Sequence, residues 1–371
     1  MRRARSRVWI QTLSFEGDAA GHGLAHELLR RSDLDRRMIV DRFNRCFQSD
    51  RFVYAPHNLV APAVRAEVRA TAAMIAGLHA AGVRFRFTGP LGFLWRRLAA
   101  RDHRKLILVD DAVAYIGGIN FSDHNFAWHD LMLRIEDAAV AKYLAADFTA
   151  TWAGTPRPAR ARFGPLELFS LVGSGNEVAI EPLLDRIRGA ASSVLVHSPY
   201  LNFPFCDALA TAARRGVAVR VLTPAANNRP FLRRFIHAQA LRSGFDLRFL
   251  DGGMSHLKAL LIDDETLVLG SSNFDFLTER HQCELIAVVR DPALIRDFHD
   301  RIVAPDLARA TPAPPMPRWK RDFATAFVHA AAAAAAIGCG VPVRRRRPAT
   351  PPAAEPVAVA AGGARGGAPE R

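Results

Sequence analysis

The sequence contains one eight-residue pattern twice, and this duplication constrains the fold more than any other feature. Both copies read H-x-K-x-x-x-x-D, at residues 103–110 and 256–263. Lysine and arginine together number 50, yet only four of these residues are lysines. Two of the four, Lys105 and Lys258, lie in the repeated pattern. Since the chain otherwise uses arginine, these two positions indicate a need for a compact ammonium group rather than a planar guanidinium.

The segments that follow the two motifs are also alike. Small-residue turns lie at 117–120 (G-G-I-N) and at 270–273 (G-S-S-N). Asn120 comes 17 residues after His103, and Asn273 comes 17 residues after His256. An internal repeat of this kind predicts two similar structural units that are completed by packing together.

Strand patterns alternate with helix patterns in both halves, which predicts an α/β fold. We expect two similar α/β/α sandwich halves related by a pseudo-twofold axis, with the active site at their interface. The predicted boundaries are residues 1–155 for the first half and 176–306 for the second, with a proline- and arginine-rich linker at 156–175. Residues 307–371, rich in alanine, proline and arginine, are predicted to be a partly disordered tail.

The composition limits the partners and the compartment. A formal charge of +14 and a pI near 10.7 indicate anionic partners such as lipid headgroups or nucleic acid, although arginines on solvated faces are the commoner explanation. The four cysteines have neither C-x-x-C nor metal-ligand spacing, so we expect no disulfide and no zinc site. A reducing cytoplasm fits best. The basic start of the chain is followed by an apolar run too short for a signal peptide.

The motif side chains suit phosphodiester chemistry. In a strand, residues two apart point to the same side, so each histidine shares a face with its lysine. Two such strands would bring two imidazoles, two ammonium groups and two asparagine amides into one cleft. Lysines and asparagines can hold phosphoryl oxygens, while one histidine attacks phosphorus and the other, protonated, donates to the leaving alcohol. This chemistry needs no metal and no cofactor, and one chain supplies a complete site.

A nucleophilic imidazole also needs its far nitrogen held, usually by a carboxylate. Asp130 and Glu284 are the candidates for this role. Asp110 and Asp263 lie at the predicted strand ends and are more plausible as turn and support carboxylates. The remaining histidines that we considered are expected to be ordinary polar residues: His22, His79, His129, His197 and His281.

With these motifs the chain resembles the phospholipase D superfamily, and within it the bacterial cardiolipin synthase branch. The branch pattern D-x-x-G occurs at 18–21, and W-x-D at 128–130. Its P-Y pattern corresponds to 199–204, and A-x-x-R-G-V-x-V to 212–219. The chain departs from the branch at Leu277-Thr278, where Arg-Ser often stands.

The resemblance implies a set of site residues. The catalytic set would be His103, Lys105, Asp110, His256, Lys258 and Asp263. The phosphate-binding set would be Lys105, Asn120, Lys258, Ser271 and Asn273. It favours His103 as the nucleophile.

The resemblance also implies an activity, namely a phosphatidyltransferase that acts on phospholipids through a phosphohistidine, with phosphatidylglycerol or a related alcohol as acceptor. The alternative is a hydrolase or nuclease that uses water, and only this alternative requires a nucleic-acid partner.

The resemblance further predicts a short form that is peripheral at the inner, cytoplasmic face of the cell membrane and contacts its anionic surface. Apolar loop residues Phe93, Leu94 and Trp95 could enter the interface. The alanine-rich stretch 323–343, followed by four arginines at 344–347, is predicted to be an exposed or docked helix or a membrane-surface anchor, and not a membrane span.

Overall fold

The structure, a computed structural model, describes residues 3–340. The strands are β1 (Arg7–Thr12), β2 (Asp35–Asp41), β3 (Phe47–Gln48), β4 (Arg51–Phe52), β5 (Arg84–Thr88), β6 (Leu106–Val109), β7 (Val113–Gly117), β8 (Met132–Glu136), β9 (Ala159–Phe163), β10 (Leu166–Val172), β11 (Ser193–His197), β12 (Ala218–Pro224), β13 (Asp246–Leu250), β14 (Ala259–Ile262), β15 (Thr266–Gly270), β16 (Cys283–Val289) and β17 (Ala310–Pro312).

The helices are α1 (Ala19–Leu29), α2 (Pro56–Val60), α3 (Pro62–Ala80), α4 (Asp123–Ala127), α5 (Ala138–Ala153), α6 (Asn176–Ala179), α7 (Glu181–Arg188), α8 (Phe205–Arg214), α9 (Pro230–Ser243), α10 (Phe276–Arg280), α11 (Pro292–Phe298), α12 (Ala304–Arg309) and α13 (Arg318–Cys339). Short 3₁₀ turns occur at Arg42–Arg45 and Phe93–Trp95, and a π-helical turn joins α11 to α12.

The two large sheets share one strand order. The first sheet runs β5-β2-β1-β6-β7-β8, and the second contains the equivalent order β13-β12-β11-β14-β15-β16. In both sheets the first three strands are parallel to one another, and the next three follow in antiparallel pairs. The structure therefore has the two similar α/β halves that the repeated motif predicts.

A shared core lies between the two sheets. Along β6, Leu106 and Leu108 are fully buried in this shared core, while Ile107 and Val109 pack in the separate core of the first half. Around β14, Ala259 and Leu261 join the shared core, while Leu260 and Ile262 face the core of the second half. Because side chains alternate along a strand, each motif strand is apolar on both faces, and this ties the two halves together.

The predicted linker is wrong in its second part. Residues 159–163 and 166–172 form β9 and β10, which extend the second sheet at one edge. The run A-R-A-R-F, read as linker because of its arginines, is an edge strand: Arg160 binds the carboxylate of Glu167 on the neighbouring strand. Exposed charges of this kind are ordinary on an edge strand.

The start of the predicted tail is ordered and packed on the second half. Strand β17 pairs with β13, and Phe327 of α13 packs against Phe231 of α9 with ring centroids 5.1 Å apart. By length and composition α13 is apolar enough to cross a membrane, and 17% of its apolar window is buried within the structure. Residues 341–371, including the four arginines, lie outside the described residues.

Candidate active site

The first motif histidine is held by a carboxylate from the other half of the chain. His103 lies in the extended segment just before β6, and its Nδ1 is 3.0 Å from Oε1 of Glu284 on β16. The same Nδ1 is 3.1 Å from the carbonyl oxygen of Ser271. Both side chains of the pair are almost completely buried.

The second motif histidine has the reciprocal arrangement. Nδ1 of His256 lies 2.7 Å from Oδ2 of Asp130, which belongs to the first half. Gly118 makes room for this carboxylate, since a Cβ there would lie 2.3 Å from Oδ1 of Asp130. Each histidine is thus oriented across the interface, and the two candidate carboxylates serve the motif of the opposite half.

Backbone bridges between the halves set this crosswise register. The amide of His103 donates to the carbonyl of Cys283, the residue before Glu284. The amide of His256 donates to the carbonyl of His129, the residue before Asp130. In both cases the bridge fixes the chain immediately next to the carboxylate, so the imidazole and its acid are positioned by main-chain hydrogen bonds.

The two imidazoles differ in their surroundings. Nδ1 of His103 faces two acceptors, the Glu284 carboxylate and a carbonyl, so this nitrogen must carry the hydrogen and Nε2 keeps its lone pair. Nδ1 of His256 faces Asp130 and also the Lys258 amine at 2.9 Å. Burial and the neighbouring lysines lower the pKa of both histidines, that of His256 to about 3. Nδ1 of His103 thus faces only acceptors, whereas Nδ1 of His256 faces an acceptor and a donor.

The motif lysines lie behind the histidines. Lys105 and Lys258 each donate from Nζ to the carbonyl of the histidine two residues earlier, at 2.7 and 2.5 Å. Burial lowers the pKa of Lys105 to about 7 and that of Lys258 to about 8. The carboxylates Glu284 and Asp130 act in the opposite direction and favour the charged amines.

A cavity of about 280 Å³ opens in front of the two histidines. Asn120 and Asn273 line it, as do both motif histidines. Oδ1 of Asn273 is buried without a hydrogen-bond partner among the described residues, so this oxygen can accept a hydrogen bond from a ligand.

Two parts of the predicted set need correction. Ser271 does not face the cavity: its hydroxyl donates to Glu284 and supports the carboxylate that orients His103. Asp110 and Asp263 lie at the far ends of β6 and β14. They accept backbone amides of residues 5–7 and 191–193, respectively. These two aspartates are structural, as their place at the strand ends predicts, and they do not contact the cavity.

The sequence reasoning missed several residues around the site. The rings of Trp128 and Tyr200 flank His256, with centroids 5.2 and 5.9 Å away. The signal for both was present, because Trp128 belongs to the W-x-D pattern and Tyr200 to the P-Y pattern. Glu16 also lines the cavity, and burial, with Glu67 nearby, raises its pKa to about 8.

A second cluster forms beside the site from residues expected to be ordinary. Ligand atoms of His129, His197 and Asp306 all lie within 4.8 Å of one another, a spacing that could hold a metal ion. The described contacts already account for this cluster, because Asp306 accepts from His129 and Arg309 and lies 3.3 Å from Nδ1 of His197. No sequence signal predicted it, since the three residues come from distant segments.

Comparison with known proteins identifies the family. The family model described as "Cardiolipin synthase, PLD-like domain" matches residues 1–152 and 183–303, which contain both motifs and both orienting carboxylates. A curated relative named cardiolipin synthase A, from Yersinia pseudotuberculosis, is 29% identical over 231 residues, covering 55% of this chain and 47% of the relative. The chain thus spans about half the length of the curated relatives that it matches.

Solved structures show the same fold. Phosphatidylserine synthase from Haemophilus influenzae aligns over 91% of both chains with a TM-score of 0.66 and 16% identity. Polyphosphate kinase from Porphyromonas gingivalis aligns over 89% of this chain and 49% of its own, with a TM-score of 0.55 and 15% identity. Proteins with different names share this fold, so the likeness speaks for architecture alone. The family match covers most of the chain, including both motifs, and the protein therefore belongs to the cardiolipin synthase type of the phospholipase D-like family.

Proposed function

We propose that the protein is a phosphatidyltransferase that acts on phospholipids through a phosphohistidine intermediate. The observation that carries this proposal is the pair of buried histidines, each oriented by a carboxylate of the other half, at one cavity. Family membership and the cardiolipin synthase relatives support a phospholipid as the substrate.

In the first step Nε2 of His103 attacks phosphorus and the P–O bond to the leaving alcohol breaks. His256 gives a proton to that alcohol oxygen. The product on the enzyme is a phosphatidyl group bound to nitrogen. In the second step the hydroxyl of an acceptor alcohol attacks phosphorus, His256 takes its proton, and the P–N bond breaks, which restores both histidines.

The protonation of His256 depends on the substrate. In the empty cavity, burial and Lys258 keep this imidazole neutral. A bound phosphodiester brings one negative charge next to it and favours the imidazolium, as the Asp130 carboxylate also does. The same charge favours the ammonium forms of Lys105 and Lys258, which lie behind the motif histidines. Substrate binding thus creates the acid that the first step requires.

The acceptor is proposed to be phosphatidylglycerol or a similar alcohol, and the site of action the inner face of the cell membrane. The cavity lining supports a lipid, because Phe43, Phe47, Phe231 and Leu232 lie in it. The net charge of +14 favours approach to an anionic surface. Phe93 and Leu94 support contact with the interface, since 80% and 79% of their surfaces are exposed.

Two experiments test the proposal. Expression in a cardiolipin-deficient bacterium, followed by lipid analysis, should give cardiolipin or a related lipid that depends on both motif histidines. With purified protein and phospholipid labelled in an acyl chain, an alkaline quench should trap an acid-labile phosphatidyl adduct that forms slowly in His256→Ala and is absent from His103→Ala. The exposed His79→Ala variant serves as the control.

If the protein releases phosphatidic acid and forms no new lipid, it is a hydrolase that uses the same site and not a transferase. An adduct on His256 in the His103→Ala variant would reverse the two histidine roles. If no lipid product depends on either histidine, the proposal is wrong.

A further inference from the structure

A second cavity, of about 470 Å³, adjoins the catalytic one. It lies between helix α13 and the loop of residues 92–99 that precedes the first motif. Most of its lining is apolar and comes from three segments: the loop, the region of α9 and α10, and one face of α13. The apolar side chains include Trp95, Leu98, Phe231, Leu232, Leu277 and Val328.

The two cavities adjoin each other. They share four lining residues: Phe231, Leu232, Asp275 and Leu277. A molecule whose phosphodiester lies at His103 would reach the second cavity by passing these side chains. Its polar part would then lie at the histidines and its apolar part in the second cavity.

Helix α13 keeps the second cavity open by its small side chains. Ala331, Ala334, Ala335 and Gly338 line the cavity at spacings of three and four residues, which place them on one helix face. Gly338 also contacts the loop, since a Cβ there would lie 2.7 Å from the carbonyl oxygen of Arg96. The helix thus roofs the cavity and meets the first half at one end.

The position of α13 is fixed by packing on the second half. The ring of His329 stacks on Phe203 with centroids 4.9 Å apart, and Val328 is fully buried. Near the end that meets the loop, Ile337 is exposed, as are Phe93 and Leu94 of the loop itself. The segments that bound the cavity thus present apolar residues to the outside, where a membrane would supply its lipid.

We propose that the second cavity binds an acyl chain of the phospholipid substrate. This inference rests on the proposed phosphatidyl transfer and adds the part of the substrate that α13 recognises. An acyl chain fits because it is unbranched, apolar and joined through glycerol to the phosphodiester. The lining has few polar groups: Asn202 accepts the amide of Phe276 through Oδ1 at 2.9 Å and keeps an unpartnered Nδ2 among the described residues, and Asp275 accepts the amide of Thr278.

The first test compares chain lengths. Ala331→Leu and Ala335→Leu fill the cavity, and Ala330→Leu, on an exposed position outside the lining, is the matched control. Alanine and leucine both favour helix, so α13 should persist in all three. We expect KM for a long-chain phospholipid to rise at least tenfold in the two cavity variants, with KM for a four-carbon-chain analogue unchanged. Equal changes for both chain lengths, or none, would overturn the proposal.

The second test does not depend on turnover. A His103→Ala protein is titrated with monomeric phosphatidylglycerol that carries brominated eight-carbon chains, and Trp95 reports chain contact through fluorescence quenching. Because Trp128 lines the catalytic cavity, the informative signal is the part of the quenching that is lost in Trp95→Phe; this part should weaken with Ala331→Leu and persist with Ala330→Leu. Quenching that is unchanged in Ala331→Leu and Ala335→Leu would overturn the acyl-chain site. If the wild-type protein transfers no lipid, the proposed function fails and this binding test still decides what the cavity holds.

Discussion

Nδ1 of His103 lies 3.0 Å from Oε1 of Glu284, although 181 residues separate them along the chain. The hydrogen on Nδ1 is fixed by this contact and by the Ser271 carbonyl, which leaves Nε2 free for attack. His256 and Asp130 form the reciprocal pair. On the proposed mechanism, removal of either carboxylate should therefore impair the chemistry of the motif in the opposite half.

Glu284→Gln should lower kcat for lipid transfer by about 10²–10⁴-fold, because an amide can donate to Nδ1 and would favour the tautomer with the hydrogen on Nε2. Single-turnover formation of the His103 adduct is the measurement, and Glu284→Asp should restore part of it. The exposed Glu265→Gln variant is the control. Adduct formation at the normal rate in Glu284→Gln would show that the carboxylate does not orient His103.

Lys105 should make stability depend on alkaline pH. Burial lowers its pKa to about 7 in the folded protein, whereas an unfolded lysine titrates near 10.5. Between these values the unfolded chain binds more protons, so the free energy of unfolding should rise with pH across that window. From pH 7 to 9 the wild type should gain about 2 kcal/mol relative to Lys105→Met.

Guanidinium unfolding at the two pH values measures this difference, and exposed Lys142→Met provides the comparison. A Lys105→Met protein with the same pH slope as wild type would contradict a buried, weakly basic Lys105.

Asp263 should matter for folding and not for chemistry. Its carboxylate accepts three backbone amides ahead of β11. Partial burial raises its pKa, but these amides outweigh that effect and lower it to about 2. The stabilisation is present above pH 4 and is lost as pH falls through about 2.

Asp263→Ala should cost about 1–2 kcal/mol of unfolding free energy at neutral pH and leave kcat within twofold. Asp264→Ala, also at a left-handed backbone position, controls for the backbone change. A large loss of kcat in a stably folded Asp263→Ala protein would return this residue to the catalytic set.

Catalysis should survive excess chelator. The proposed steps use the two histidines, with the lysines and asparagines as charge and hydrogen-bond donors, so none of them is routed through a metal ion. Transfer assays with and without a chelator should agree within experimental error. Loss of activity that magnesium or zinc restores would refute the phosphohistidine mechanism and would direct attention to His129, His197 and Asp306.

Binding to liposomes should need anionic lipid and weaken as salt rises, because screening shortens the reach of the basic charge. Phe93→Ser with Leu94→Ser should reduce flotation further, whereas Val178→Ser, exposed in the second half, should not. A protein truncated after Gly340 loses the four arginines at 344–347 and should also bind less. A wild-type protein that stays unbound to anionic liposomes at low salt would exclude the interfacial model.

The fold follows closely from local sequence patterns. The apolar runs in β6 and β14 and the matching glycine turns are short-range signals, and the duplication doubles them. The arginine-rich strand β9 was not predicted from the sequence, because alternating charged residues resemble a linker when the neighbouring strand is not known.

The candidate site was less predictable where it depends on contacts between residues that are far apart in the sequence. The sequence could name Asp130 and Glu284 as orienting carboxylates. It could not show that each orients the histidine of the opposite half, because this depends on the backbone hydrogen bonds at Cys283 and His129. Ser271 was misassigned because its hydroxyl and a phosphate ligand look alike in a motif. The cavity under α13 has no motif, because its helix lining is made of alanine and glycine residues within an alanine-rich stretch.

Each motif histidine depends on a carboxylate from the opposite half of the chain. A substitution at Glu284 is, in effect, a substitution in the first motif, and one at Asp130 is a substitution in the second. If these residues act as proposed, the two halves cannot change independently at these positions, and replacement of one half would disable the other. We therefore expect residues 103 and 284, and residues 256 and 130, to change together or not at all among descendants of this chain.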